Sequence, residues 1–584
     1  MMAAFWNKLW DMHDDTKALV LYSPKAMLKK FINTHFSSAT EKEEKSVDLA
    51  DEMSDAPAEH ARRLKSGPGG IEEGEPRSYS KRQKIGLFLG PILFILMLVI
   101  PTPAGMSPEA QKMAAITFLM ATWWMCESLP IPATSLLPIP LFPIMGLMST
   151  GKATAPYAND IIFLFMGGFI IALSMQKWNL HRRIAMNIVK VVGFSPSRLI
   201  LGFMVSTGVI SAFVSNTATA VMMMPIGLAI IAHVVDEGRK EGLDKVIDFS
   251  PEKFAFGLNL MLGIAYAASI GGIATLIGTP PNTVLAGYLS KTFGYEITFA
   301  EWLVVGVPFV LVALPLCWLW LIKVANPMKL KKVPGGKDLI EAELSKMGKM
   351  NTGERWTLLV FTLTALAWMF RSKLAFLFPD PKMVTDAAIG MVGGCILFLI
   401  PINLKKSEFV MDWHWASKMP WGVLILFGGG LCLSDGFKTT KLADWIGLQV
   451  GLLENAPILV LIIAVTALII FLTELTSNTA TAAMVMPILS AIAIGLGQNP
   501  LLLVVPAAIA ASCAFMLPVA TPPNAIVFGS GYVTIPQMAR SGFGLNILCI
   551  IITVIATYIL VIPFFGVEIG VLPDWAVIAE AVTK

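Results

Sequence analysis

The chain has 584 residues, of which 55% are hydrophobic and only 14% charged, with 44 Lys and Arg against 40 Asp and Glu. So little charge cannot cover the surface of a water-soluble protein of this length, so that class is excluded. The small positive balance matters for where the basic residues lie rather than for its total.

Residues 1–84 are polar and mixed in charge, and they read as a disordered cytosolic tail. Phe5, Trp6, Leu9 and Trp10 predict an amphipathic turn lying on the membrane surface. No secretory signal fits, because the first apolar cluster is short and runs straight into acidic residues. Apolar runs of spanning length then recur at about 85–101, 112–131, 133–149, 158–176, 254–277, 302–324, 356–378, 384–402, 421–437, 500–518 and 543–565. Two longer stretches, 198–232 and 457–496, are each interrupted by a polar run, Ser215-Asn216-Thr217 and Ser477-Asn478-Thr479. These predict re-entrant hairpins that return to the side they entered from.

The fold class expected is therefore an all-α integral membrane protein, with about 11 transmembrane helices and two re-entrant hairpins. With Lys81, Arg82 and Lys84 cytosolic, six crossings bring the segment around 323–356 back inside. That segment carries Lys323, Lys329, Lys331, Lys332, Lys337, Lys346, Lys349 and Arg355, as the positive-inside rule requires. Eleven crossings leave the C-terminus outside, in a plasma or inner membrane.

The chain repeats itself. SNTATAVMMMPI at 215–226 matches SNTATAAMVMPI at 477–488 in ten of twelve positions, an offset of 262 residues. The same offset carries Leu164, Phe165, Gly167 and Gly168 onto Leu426, Phe427, Gly429 and Gly430. It also carries the stripe Leu180, Ile184, Ile188 onto Leu442, Ile446, Val450, read as two amphipathic helices on the membrane surface, near 177–191 and 438–452. GTPPN at 278–282 pairs with ATPPN at 520–524, with the offset reduced to 242 by about twenty extra polar residues near 233–253. The predicted plan is a tail (1–84), a first helix (85–111), repeat 1 (112–324), a cytosolic basic linker (325–355), repeat 2 (356–566) and a C-terminal tail (567–584). The crossings place the two copies in opposite orientation, which puts a binding site where they meet near the midplane.

The repeated motifs carry the chemistry. Non-helical backbone in a membrane is tolerated only where protein or a polar cavity surrounds it. Ser and Asn end one half-helix and cap the next, whose free amides and dipole attract anions. Thr followed by proline does the same at Thr279-Pro280-Pro281 and Thr521-Pro522-Pro523. Four such helix starts suit a ligand with two anionic ends. Because the motifs hold no Lys or Arg, the missing positive charge points to cations held by Ser, Thr and Asn oxygens and carbonyls, a donor set that suits sodium.

Glu474, three residues before the second motif, is an intramembrane carboxylate and so a functional candidate able to carry a proton. Its counterpart by the repeat is Ala212, which cannot titrate, and this favours a structural role in hairpin packing. Glu127 and Asp160 lie near span ends and read as structural. The cysteines, Cys126, Cys317, Cys395, Cys432, Cys513 and Cys549, stand singly in apolar segments and read as small core residues.

Both SNT motifs, together with the run Ser512-Cys513-Ala514-Phe515 through Pro518-Val519-Ala520-Thr521-Pro522-Pro523-Asn524-Ala525-Ile526-Val527, resemble the divalent anion:sodium symporter family of INDY-type dicarboxylate and citrate transporters, over roughly 85–566. The resemblance implies one sodium held by Ser211, Ser215, Asn216 and Gly278, and a second held by Thr473, Thr476, Asn478 and Ala520. It implies substrate carboxylates at Asn216, Thr217, Thr279, Asn478, Thr479 and Thr521. It also implies a homodimer with scaffold and transport domains, moving as an elevator, with the surface helices as connecting arms.

The expected function is secondary active transport: sodium-coupled symport of C4 dicarboxylates such as succinate, malate or fumarate. Rivals within transport are a sodium-independent exchanger and a sodium-coupled citrate or sulfate carrier. An anion channel would need a continuous polar pore, which inverted hairpins around one site do not make. Neither HExxH nor a Walker A loop occurs, and no nucleophile–base pair stands out, so an enzyme is not expected. The lipid bilayer is the remaining partner, and nucleic acid is not one.

Overall fold

The structure is a computed structural model that describes residues 79–330, 336–380, 383–449 and 456–577. The turn expected at Phe5–Trp10, most of the polar tail, Val450 and the last seven residues lie outside the described residues. The described chain is almost wholly helical, with one short antiparallel pair, Pro401–Asn403 and Glu408–Phe409. Seven helices among the described residues are long and apolar enough to cross a membrane, and several shorter apolar helices accompany them. Their outward faces stay apolar: Phe88 is 68% exposed and Val99 75%.

α1 (Lys81–Val99) starts at a capping box in which Ser80 and Gln83 bond reciprocally. α2 (Pro108–Cys126) starts at Ser107 with proline in its first turn and ends on Glu127 in the left-handed region. The third expected span, 133–149, is not one helix. Its prolines divide it into α3 (Ile131–Ser135) and α4 (Pro138–Ile144), because proline cannot complete an interior helical hydrogen bond. Lys112 Nζ donates to Met145 O at 3.1 Å, so this broken pair runs back along α2 to its start.

α5 (Asp160–Lys177), α6 (Leu180–Val192), α7 (Pro196–Ser211), α8 (Asn216–Lys240), α9 (Ala255–Gly272), α10 (Pro280–Phe293) and α11 (Phe299–Leu319) follow. α12 (Thr352–Met369) and α13 (Asp386–Leu399) come next, then α14 (Trp421–Thr439), α15 (Leu442–Leu448), α16 (Ile458–Thr473), α17 (Asn478–Gly495), α18 (Leu501–Ala511), α19 (Pro522–Phe528) and α20 (Ile535–Ala556). Several bounds differ from those expected. The first hairpin's second arm continues to Lys240, α9 stops at Gly272 and α18 stops at Ala511.

The same elements recur in the same order. The bounds 196, 211 and 216 of the first hairpin become 458, 473 and 478 in the second, each 262 residues on. Asn179 (φ 57°) and Lys441 (φ 60°), also 262 apart, make the same left-handed step into α6 and α15. A third correspondence was not read from the sequence. α11 and α20 both open on a Thr capping box, Thr298 with Glu301 and Thr534 with Gln537, and both end in a widened π-type turn, Trp320–Ala325 and Thr557–Val561.

The structure fixes the buried face of α6 and corrects the reading of the cysteines. The face that α6 buries is Leu180, His181, Ala185, Met186 and Val189, while Ile184 and Ile188 are half-buried. That face is set by α7, where Ser206 Oγ donates to Ala185 O at 3.0 Å and a side chain at Gly202 would meet the Val189 backbone. The cysteines are also not all core residues: Cys126 is half-buried and Cys395 exposed, and the other four are buried.

α6 is fastened to the first turn of α12 and to the turn just before it. Arg183 holds Glu354 through both carboxylate oxygens, at 2.9 Å and 3.2 Å, and donates to Gly348 O at 2.8 Å. Glu354 is 3% exposed and also closes the Asn351 capping box. Glu354→Gln leaves a nearly buried guanidinium without its charge partner, so stability should fall by about 3–5 kcal/mol. A markedly lower Tm in detergent, with no such loss in Lys240→Gln on an exposed pair, is the expected result.

Candidate functional site

Each hairpin turns through a short non-helical stretch, and each is faced by a broken helix. In the first half, Ser215 begins α8, accepting from Ala218 N at 3.4 Å. Thr279 begins α10 with proline behind it. In the second half the corresponding starts are Ser477 for α17 and Thr521 for α19, where Thr521 Oγ1 accepts from Asn524 N at 3.3 Å. α8 packs against α19, and α10 against α17, so each half's hairpin meets the other half's broken helix. Thr279 Oγ1 and Ser512 Oγ, 3.5 Å apart, join the two breaks directly.

The oxygens are crowded in the same way in both halves. Ser211 Oγ lies 2.8 Å from Asn216 Oδ1 and 2.7 Å from Ala268 O. Thr473 Oγ1 lies 2.6 Å from Asn478 Oδ1 and 3.2 Å from Ala511 O. A hydroxyl has one proton to give, yet each faces two acceptors. A hard cation relieves that crowding, and hydroxyl, amide and carbonyl oxygens are the donors such a cation takes.

Gly278 belongs to the first cluster. A side chain there would run into Gly272 O and lie 2.8 Å from Ala212 O, and one at Gly272 would meet Asn216 Oδ1 at 2.5 Å. Thus Ser211, Ser215, Asn216, Gly278 and Thr279 gather around one turn. Thr473, Thr476 and Asn478 gather around the other, although Thr476 Oγ1 is taken up by Thr481 Oγ1 at 2.6 Å and Leu472 O at 2.9 Å. Ala520 and Thr521 lie buried at the second break. Thr217 is exposed and Thr479 is buried, and both sit in the first turn of their helices.

Asn282 and Asn524, which close the two TPPN motifs, have a role that the motif's chemistry at Thr and Pro does not reveal. Asn282 Nδ2 donates to Thr275 O at 2.8 Å, and Asn524 Nδ2 donates to Leu517 O at 3.1 Å and Ala514 O at 3.2 Å. Each ties the helix start back onto its own break. The equal spacing of Asn behind both Thr-Pro-Pro runs was the signal for it.

Glu474 is 3% exposed and bonded on every side. It accepts from Phe515 N at 2.7 Å, Met516 N at 2.9 Å and 3.0 Å, Leu517 N at 3.2 Å and Asn546 Nδ2 at 2.8 Å. The carboxylate is therefore built into the packing of the second hairpin. Glu127 ends α2 and pairs with Arg82 at 3.5 Å, and Asp160 accepts from Ile161 N at 2.9 Å in the first turn of α5; both are structural.

The family model for the sodium:sulfate symporter transmembrane region matches residues 81–566. A sodium-dependent dicarboxylate transporter, SdcS, of Staphylococcus saprophyticus is 46% identical over 497 residues, covering 85% of this chain and 94% of its own. SdcS of Staphylococcus aureus strain USA300 is 45% identical over the same share. Among solved structures, the YdaH transporter of Alcanivorax borkumensis superposes with a TM-score of 0.51 at 11% identity, covering 83% of this chain and 99% of its own. MtrF of Neisseria gonorrhoeae gives 0.50 at 13%, covering 86% and 98%. These two bear on the fold alone. With its paired motifs inside a family match that spans nearly all the described residues, the chain belongs to the divalent anion:sodium symporter family.

Proposed function

We propose that this protein is a secondary active transporter that carries C4 dicarboxylates, such as succinate, malate or fumarate, together with sodium. The observation that carries the reading is the matched pair of crowded oxygen clusters, Ser211–Asn216–Ala268 and Thr473–Asn478–Ala511, each at a half-helix start. The sodium named in its relatives' function fits those clusters, and the dicarboxylate fits two separated sets of helix starts.

On this reading, Ser211, Ser215, Asn216 and the Gly278 carbonyl hold one sodium, and Thr473, Thr476, Asn478 and the Ala520 carbonyl hold the other. Thr217, Thr279, Thr479 and Thr521, with the two Asn amides, orient one carboxylate at each half. Sodium supplies the positive charge that the motifs lack, so the dianion enters a low-dielectric site only with its cations present. The two repeats lie in inverted orientation, with the N-terminus cytosolic, the C-terminus outside, and a homodimer working as an elevator.

Uptake of labelled succinate into proteoliposomes tests the function. An inward sodium gradient should drive accumulation, and choline in place of sodium should abolish it. Excess unlabelled malate should compete far better than citrate or sulfate. Sodium-independent counterflow overturns symport, and strong competition by sulfate overturns the substrate class.

A further inference from the structure

We infer that Glu474 is a positioning residue for the second sodium half-site, and that the two half-sites are clamped by different chemistry at equivalent positions. The inference rests on the sodium-site reading above. In each half, the residue just after the sodium hydroxyl is fastened to the break of the facing helix. In the first half that residue is Ala212, whose carbonyl accepts from Thr275 Oγ1, while Thr275 Oγ1 accepts from Gly278 N at 3.1 Å. In the second half it is Glu474, 262 residues on, and its Oε2 accepts from Leu517 N at 3.2 Å. Leu517 is the counterpart of Thr275, 242 residues on. The same two positions are therefore joined in both halves, by a hydroxyl in one and by a carboxylate in the other.

The carboxylate joint reaches further. Glu474 collects three successive backbone N–H groups, which would otherwise be buried without partners in a non-helical stretch. Leu517 O in turn accepts from Ala520 N at 3.1 Å and from Asn524 Nδ2 at 3.1 Å. A chain of hydrogen bonds thus leads from Glu474 through Leu517 to Asn524 and to Ala520, whose carbonyl is assigned to sodium. On its other side Glu474 adjoins Thr473, so one side chain fixes both walls of the half-site. The next residue, Leu475, has its carbonyl held by Arg82 at 2.6 Å, from α1 outside both repeats. A carboxylate already filled by five hydrogen-bond contacts has no lone-pair direction left for direct service as a ligand. Its effect is carried through the loop it holds.

The test compares Glu474→Gln, Glu474→Ala and the double variant Glu474→Ala/Leu517→Thr, which copies the first half's joint into the second. Glu474→Gln should raise the sodium concentration for half-maximal succinate uptake roughly 10–100-fold, as loss of a group that orients metal ligands does. The succinate KM at saturating sodium should stay nearly unchanged. Hydrogen–deuterium exchange in sodium should quicken at residues 515–521 and not at 273–279. The double variant should recover sodium affinity that Glu474→Ala loses. Unchanged sodium dependence with unchanged exchange at 515–521 overturns the inference, as does a double variant no better than Glu474→Ala. The exchange measurement needs no transport. If the wild type fails to take up succinate, the proposed function falls, while sodium-dependent protection of 515–521 still decides the role of Glu474.

Discussion

Asn216→Ala and Asn478→Ala should each abolish sodium-driven succinate uptake while leaving the fold almost untouched. Each Asn side chain is one member of a three-oxygen cluster. On the proposed assignment, its removal takes one ligand from a cation in a low-dielectric site and one amide from the substrate carboxylate. A hydrogen bond to a charged group is worth about 1.5–3 kcal/mol, so two such losses amount to several kcal/mol of binding. The cost to folding is small for a specific reason. Ser211 keeps Ala268 O as its acceptor, and Thr473 keeps Ala511 O, so neither substitution strands a buried hydroxyl. Neither Asn is the helix cap, which is Ser215 in one half and Ser477 in the other. Alanine is also a good helix former at that position. The paired measurement is uptake in proteoliposomes and Tm in detergent without sodium. Full transport by either variant removes the site assignment, and loss of transport with a large loss of Tm removes the claim that the clusters serve binding.

What the sequence made legible was whatever the repeat wrote twice. The hairpin turns, the helix starts at Ser215, Thr279, Ser477 and Thr521, and the pairing of Ser211 with Thr473 all follow from local chemistry seen in two copies. Thr-Pro-Pro acts within a few residues, so the starts of α10 and α19 at Pro280 and Pro522 were found, whereas the helices before them stop earlier than hydropathy suggests, at Gly272 and Ala511. The proline-rich run at 130–143 was misread as one span because hydropathy counts apolar residues and not missing N–H groups. The buried face of α6 depends on where α7 lies, which no stripe within α6 records. Glu474 was seen as a carboxylate with no counterpart, but its partners lie 41 to 43 residues away in a loop and 72 away in α20. Only the folded chain shows that the counterpart exists as a different bond between the same two positions. The Arg183–Glu354 pair was hidden for the same reason, since 171 residues separate its members.

Gly278→Ala should eliminate transport, and Ala520→Gly should leave most of it. The two positions are equivalent, 242 residues apart, and they carry different residues because the two breaks close differently. At Gly278 an added methyl would overlap Gly272 O, crowd Ala212 O at 2.8 Å and press on Gly272 Cα at 3.0 Å. All three obstacles are backbone atoms, which cannot swing aside as a side chain can. The first-half loop would have to move, and the joint through Thr275 Oγ1 and Gly278 N would move with it. Overpacking of this kind costs about 1–3 kcal/mol, and here it falls on the carbonyl assigned to sodium. At position 520 the chain already accommodates a methyl, 5% exposed, because Glu474 rather than a close backbone crossing holds that loop. Removing that methyl frees some backbone and leaves the hydrogen bonds from Leu517 in place, a cost of about 0.5–1 kcal/mol. Sodium titration of uptake separates the two cases: the Gly278 variant should show no saturable sodium response, and the Ala520 variant a modestly shifted one. Equal loss in both would mean that the halves close alike, and the difference in their joints would then have no bearing on how sodium is held.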